Sequence, residues 1–293
     1  MASKSGVSGL VILALLAGAT MWGVVWYPMR LLETAGLSGP WLTLLLYLAS
    51  SIAGIPLAWR HRQWLLQRPG LLLAISLSVG WTNLSFILAI LDGNVMRVLL
   101  LFYLSPVWAV VLGWLFLKEH ISGYTVAILV IAVIGALLML WHPDDACPWP
   151  RDRTDWLALS SGFAFAVSNI FVRHGEDVPV SVKSLVSWLG VTILAGLLIL
   201  FGSATVPVIA PNILLGVVAL AVVGMVVMTL LVQYGVSNMP VHRSAIILLF
   251  ELVAGAVSQQ LLTDEVLTSA EWIGGLLVVA AAAAMAMREK YVS

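Results

Sequence analysis

Apolar runs of about twenty residues alternate along the chain with short polar breaks, and about twenty residues is what a helix needs to cross a hydrocarbon core. With charges, Pro and Gly taken as ends, ten runs fall at residues 9–29, 38–58, 70–90, 94–116, 122–141, 155–173, 181–202, 210–232, 239–261 and 269–287. Tethers as short as Asp92-Gly93 and Lys118-Glu119-His120 join neighbours. The longer break, His142 to Thr154, carries Pro143, Asp144, Asp145, Pro148 and Pro150 and reads as a linker. The pattern predicts an all-α polytopic membrane protein of ten transmembrane helices. Residues 1–141 form a first five-helix unit, 142–154 an extracytoplasmic linker and 155–293 a second five-helix unit.

Composition points the same way: 61% of the 293 residues are hydrophobic and 10% charged, too apolar for a soluble surface. Charge balances to zero without a basic tail, so no nucleic-acid partner is expected. Cys147 is alone and no Cys/His spacing suits a metal, so neither a metal nor a cofactor is expected, and no protein partner is required beyond the monomer. Ala17-Gly18-Ala19 superficially fits a cleavage site, but the apolar run continues through Val25, so the first segment is expected to be an uncleaved span. Ten of the fourteen Lys and Arg fall on one side of the expected membrane and Arg30, Arg97, Arg151 and Arg153 on the other, which favours cytoplasmic N- and C-termini.

Shifting the sequence by 146 positions places Arg97 on Arg243, Ser105 on Glu251, Pro106 on Leu252 and Glu119 on Glu265 without a gap. Five spans is an odd number, so two alike halves enter the membrane from opposite sides. Inverted repeats are the architecture of alternating-access transporters, whose substrate site lies near the midplane between the repeats.

The segments "TMWGVVWYPMR" and "LSPVWAVVLGWLFLKE", with Pro106 thirteen positions before Glu119 and a Gly-rich span ending each half, resemble the drug/metabolite transporter superfamily in its EamA-type ten-helix form. The Trp content and "WTNLSFILAILDGNVMRVLLLFYLSP" are similar to the YddG-type exporters of aromatic and hydrophobic amino acids. The resemblance implies export of small metabolites across the bacterial inner membrane without an ATPase. Leu252 stands where the family's proline is usual, so a helix break in the fourth span is expected to be weaker in the ninth.

Glu251 lies near the middle of the ninth run, where an acid costs about 3 kcal/mol on insertion scales. Ser244, Leu248, Ala254, Gly255 and Ser258 share its face by helical spacing, so it is expected to point into the bundle, as a partner for a substrate ammonium or a proton carrier. The competing reading is a structural glutamate, either protonated or paired with Arg97 or Arg243. Those arginines could instead hold a substrate carboxylate, but anchoring at helix ends is expected of them, and a turn or cap role of Glu119 and Glu265.

Other candidate substrate contacts are Asn83, with Ser76, Gly80 and Phe86; Asn169, with Ser161, Phe165 and Ser168; Gln233, with Thr229; and Ser105. Each polar side chain is as well suited to a helix–helix hydrogen bond. Trp26, Tyr27, Trp41, Trp59, Trp64, Trp141, Trp149 and Trp156 lie near span ends and fit an interfacial belt, leaving Trp22, Trp81, Trp108 and Phe165 to grip an apolar side chain. Pro106, Gly113 and Gly255 are candidate hinge or close-packing points, along with Gly23, Pro28 and Gly224.

Few cations lie at membrane depth, which argues against phosphorylated substrates and for neutral or zwitterionic ones, first among them aromatic and hydrophobic amino acids. A cationic or amphipathic drug is the alternative, held by Glu251 and the aromatic rings. A more distant one is an intramembrane hydrolase using Ser38 of Gly36-Leu37-Ser38-Gly39, which lacks a deep histidine to activate it. No catalytic residue is assigned.

Overall fold

A computed structural model describes residues 9–117, 123–140, 150–175, 177–202, 205–238, 247–248, 250–264 and 268–292. The described elements are all helical: α1 (Gly9–Val24), α2 (Trp26–Thr34), α3 (Gly39–Trp59), α4 (Trp64–Gln67), α5 (Pro69–Asp92), α6 (Val95–Phe102), α7 (Ser105–Leu117), α8 (Gly123–Leu140), α9 (Arg153–His174), α10 (Val180–Phe201), α11 (Pro211–Ala219), a π-helical stretch (Leu220–Val226), α12 (Val227–Ser237), α13 (Phe250–Leu262) and α14 (Ser269–Val292). Seven stretches are long and apolar enough to cross a membrane, covering the first four expected spans and the sixth to eighth. Shorter apolar helices, Val126–Leu138 and Trp272–Ala281, mark the fifth and tenth, and α13 the end of the ninth.

The helices start where chemistry supplies a cap. Proline occupies the first turn of α3, α5 and α11, where its missing N–H would have had no helical partner anyway. Asn94 accepts from the Arg97 amide to cap α6, and Asp152 accepts from the Thr154 and Asp155 amides to cap α9. Gly36, at φ 108°, makes the left-handed turn into α3, and exposed Ser38 stands at the helix start, so the Gly-Leu-Ser-Gly segment serves as a turn. Within the spans, Thr43, Ser50, Ser78, Thr82, Ser85, Ser187, Thr192 and Thr229 each donate to the carbonyl four residues back, so these hydroxyls are satisfied without water.

The packing obeys a two-fold exchange of halves. α3 lies on α10 and α8 on α14, pairings of equivalent spans. The contact of α5 with α9 is matched by that of α1 with α12, and α6 and α7 on α9 by α1 on α13. Each half contributes five spans, an odd number, so this exchange relates two inverted repeats. Large side chains such as Leu13, Leu115, Val223 and Leu276 are exposed around the bundle, where lipid replaces water as their solvent, while Thr43, Ser50, Ser85 and Ser161 are wholly buried.

Trp26 departs from the interfacial belt. The first span runs on to Thr34 rather than ending near 29, so Trp26 lies more than a turn inside it, fully buried, with Nε1 donating to Ser258 Oγ at 3.0 Å. Trp59 and Trp156, by contrast, are exposed as a belt requires.

Candidate functional site

The fourth span is broken in its middle. Pro106 has no N–H to give the carbonyl of Phe102, four residues earlier, and α6 ends there; Tyr103 and Leu104 form a turn before α7 begins at Ser105. The freed Phe102 carbonyl faces Gly162 of α9 so closely that a Cβ on that glycine would lie 2.7 Å from it. Leu249, which aligns with Tyr103 under the 146-residue shift, lies outside the described residues, as does the comparison with the ninth span.

The break turns Tyr103 toward α13. Its hydroxyl donates to Glu251 Oε2 at 2.8 Å and reaches the Leu248 carbonyl at 3.3 Å. Glu251 is buried, as its face predicted, and its backbone is pressed against α1: a Cβ on Gly23 would lie 2.5 Å from the Glu251 carbonyl oxygen and 2.7 Å from Ala254 Cβ. Among the described residues no basic side chain pairs with this carboxyl.

Aromatic faces continue from Tyr103. Phe102 meets Tyr103 edge-on at 5.6 Å, Phe86 of α5 at 5.1 Å and Phe165 of α9 at 5.3 Å between ring centroids. Spans 3 and 4 of one half and 6 and 9 of the other thus place one buried carboxyl at the end of a ring cluster. Phe165 and Glu251 were legible in the sequence; Tyr103 and Phe102 were not singled out, although both stand in the segment just before Pro106.

The competing reading, a pairing of Arg97 with Glu251, is not what forms; Arg97 instead sits at the start of α6 and binds Asp155. Arg97 Nε and one terminal nitrogen grip the two oxygens of Asp155 at 2.8 and 2.9 Å, and Asp155, 2% exposed, also accepts from the Arg151 amide. This bidentate pair ties the start of the fourth span to the start of the sixth. Beside it, Gln259 of α13 accepts from the Met96 amide at 2.8 Å, closing another free N–H of α6. Arg243, Ser244, Glu119 and Glu265 lie outside the described residues.

The other candidates disperse. Asn83 accepts from the Tyr47 hydroxyl at 2.9 Å and donates to the Val79 carbonyl, a helix–helix bond. Asn169 is exposed one turn beyond Phe165 on the same face of α9. Trp81 is 43% exposed, with Nε1 on Ser160 Oγ at 3.3 Å, and Trp22 packs against the cluster around Met29, Leu42 and Tyr47. Trp108 sits edge-on to Phe163 at 5.5 Å with its indole N–H buried and unbonded. Ser105 is buried at the start of α7, and Gly255 lies one turn beyond Glu251, against Leu99 of α6. Pro106 and Gly113 lie in α7 and Gln233 in α12; their side-chain surroundings are outside the description. Gly80 is a packing point, 2.8 Å from the Gly190 carbonyl carbon at its would-be Cβ.

Comparison with known families matches residues 9–141 and again 152–287 to the EamA-like transporter family. The chain belongs to that family. It is accordingly a membrane transporter built from two EamA repeats. No curated protein matches significantly. A solved structure described as "Crystal structure of protein" superposes with a TM-score of 0.61 at 19% identity, over 95% of this chain and 96% of its own, a likeness of fold.

Proposed function

We propose that this transporter exports small neutral or zwitterionic metabolites, aromatic and hydrophobic amino acids first among them, by alternating access at a midplane site between its two repeats. The observation that carries this reading is the buried Glu251 carboxyl, held at 2.8 Å by the hydroxyl of Tyr103, whose ring meets Phe102 and through it Phe86 and Phe165. A carboxyl suits an ammonium group, and clustered rings suit an apolar or aromatic side chain. Arg97, at the start of the fourth span, is committed to Asp155, so phosphorylated substrates gain no support from it. The charge bias supports an orientation with cytoplasmic N- and C-termini, in a bacterial inner membrane on this reading.

The test is transport by purified protein in liposomes, with aromatic, aliphatic and charged amino acids and a cationic dye, each with and without a pH gradient. Uptake of the aromatic and aliphatic amino acids is expected; uptake of the dye alone overturns the substrate in favour of a cationic drug. Glu251→Gln is expected to fold and to lose transport, and unaltered transport removes Glu251 from the site.

A further inference from the structure

Between the second and third spans the chain carries Trp59-Arg60-His61-Arg62-Gln63-Trp64-Leu65-Leu66-Gln67-Arg68, with three arginines and no acid. Trp64 is partly buried against the cluster of Leu72, Ile75 and Val182, which fixes the segment to both halves of the bundle. His61 is partly buried, 3.4 Å from the Ser181 hydroxyl, and the other side chains face outward. Leu66 is 87% and Trp59 60% exposed, and Leu65 is exposed beside them. Arg62 lies over the Trp59 ring, 5.2 Å from its centroid, and Arg60 is exposed with no described partner. Of the three, Arg68 alone meets an acid, Asp177 at 2.9 Å, and both members are about half exposed.

A bare Leu66 and Trp59 in water would be costly, whereas at the boundary of headgroups and acyl chains they find an apolar phase, with the guanidinium groups level with the phosphates. We propose that this segment is a binding surface for anionic lipid headgroups, with Arg60 and Arg62 on the phosphodiester and Trp59 and Leu66 seated among the upper acyl carbons. A zwitterionic headgroup offers the same phosphate but cancels its charge, so the surface selects phosphatidylglycerol over phosphatidylcholine. Each exposed arginine strengthens lipid binding about fivefold. The inference is independent of the transported substrate.

The experiment uses the full chain in detergent, titrated with each lipid and read by native mass spectrometry, and compares it with R60Q/R62Q. Among the described residues neither arginine bonds to another span, so the variant is expected to fold with an unchanged melting temperature and helical content. Phosphatidylglycerol is expected to bind the parent protein more tightly than phosphatidylcholine, with affinity falling on added salt, and the variant is expected to lose roughly 25-fold of that affinity. L66D, with both arginines kept, is expected to lose affinity for both lipids. Equal binding of the two lipids by the parent protein overturns the proposal, as does an unchanged phosphatidylglycerol affinity in R60Q/R62Q. Displacement of the lipid by millimolar inorganic phosphate overturns it too, by assigning the arginines to a free anion.

Discussion

At the scale of single residues, the Tyr103 hydroxyl supplies the described hydrogen bond of a buried carboxyl, and its removal exposes what that bond is worth. Tyr103→Phe keeps the edge-on contact with Phe102 but leaves Glu251 without this donor, at a cost of about 1–3 kcal/mol, read as a lower melting temperature in detergent. A melting temperature equal to the parent's would show the hydroxyl to be idle. Asp152, outside the membrane spans, gives a pH test. Its partial burial alone would raise its pKa, but hydrogen bonds from the Thr154 hydroxyl and the Asp155 and Thr154 amides outweigh this and hold it below the ordinary aspartate value. A depressed carboxyl stabilises the fold above its unfolded pKa of about 4 and loses that contribution as pH falls through the lower folded value. Asp152→Ala is therefore expected to be less stable than the parent by about 1 kcal/mol at neutral pH, with the gap closing below about pH 4 in thermal melts. Glu251 was legible because an acid in an apolar run is conspicuous. Tyr103 was not, because its importance depends on a turn that aims it at a residue 148 positions later.

At the scale of elements, the spans were legible from length and hydropathy, and their irregularities less so. Pro106 announced the break between α6 and α7 through chemistry that any proline carries. Nothing in Leu220–Val226 announces a π-helical stretch, whose wider turn depends on what it packs against. Trp26 was misplaced for a related reason: hydropathy ended the first span near 29, where polar residues begin, but α2 continues to Thr34 with Arg30 satisfied by the Ile90 and Gly93 carbonyls and lying over Trp26 at 5.0 Å. The pair between α6 and α9 makes a firm prediction. Arg97→Met leaves Asp155 buried without its fork and is expected to cost about 3–5 kcal/mol, whereas R97M/D155L removes both charges and is expected to recover most of it. Thermal unfolding of the two variants beside the parent checks this, and a double variant no better than the single one would refute it.

At the scale of the whole molecule, the duplication fixes most of the architecture, since the packing pairs each half with the other. α5 of the first half lies on α9 and α10, and α1 lies on α12 and α13. Neither half buries these faces by itself. Chains ending at 141 and starting at 155, coexpressed, are expected to reassemble into one monodisperse particle by size-exclusion chromatography, and either alone to aggregate; a monodisperse first half by itself would contradict the exchange of contacts. The duplication shows its own asymmetry, Ser105 standing where the other half has Glu251, but only the assembled bundle joins that acid, through Tyr103, to a cluster of rings. The fork between Arg97 and Asp155 also sets an order in time. A ribosome delivers the arginine first and its acid 58 residues later, after a whole further span and the linker have emerged. The nascent first half therefore waits in the membrane with its cation unmatched by that acid, and this polar joint closes only when synthesis of the second half has begun.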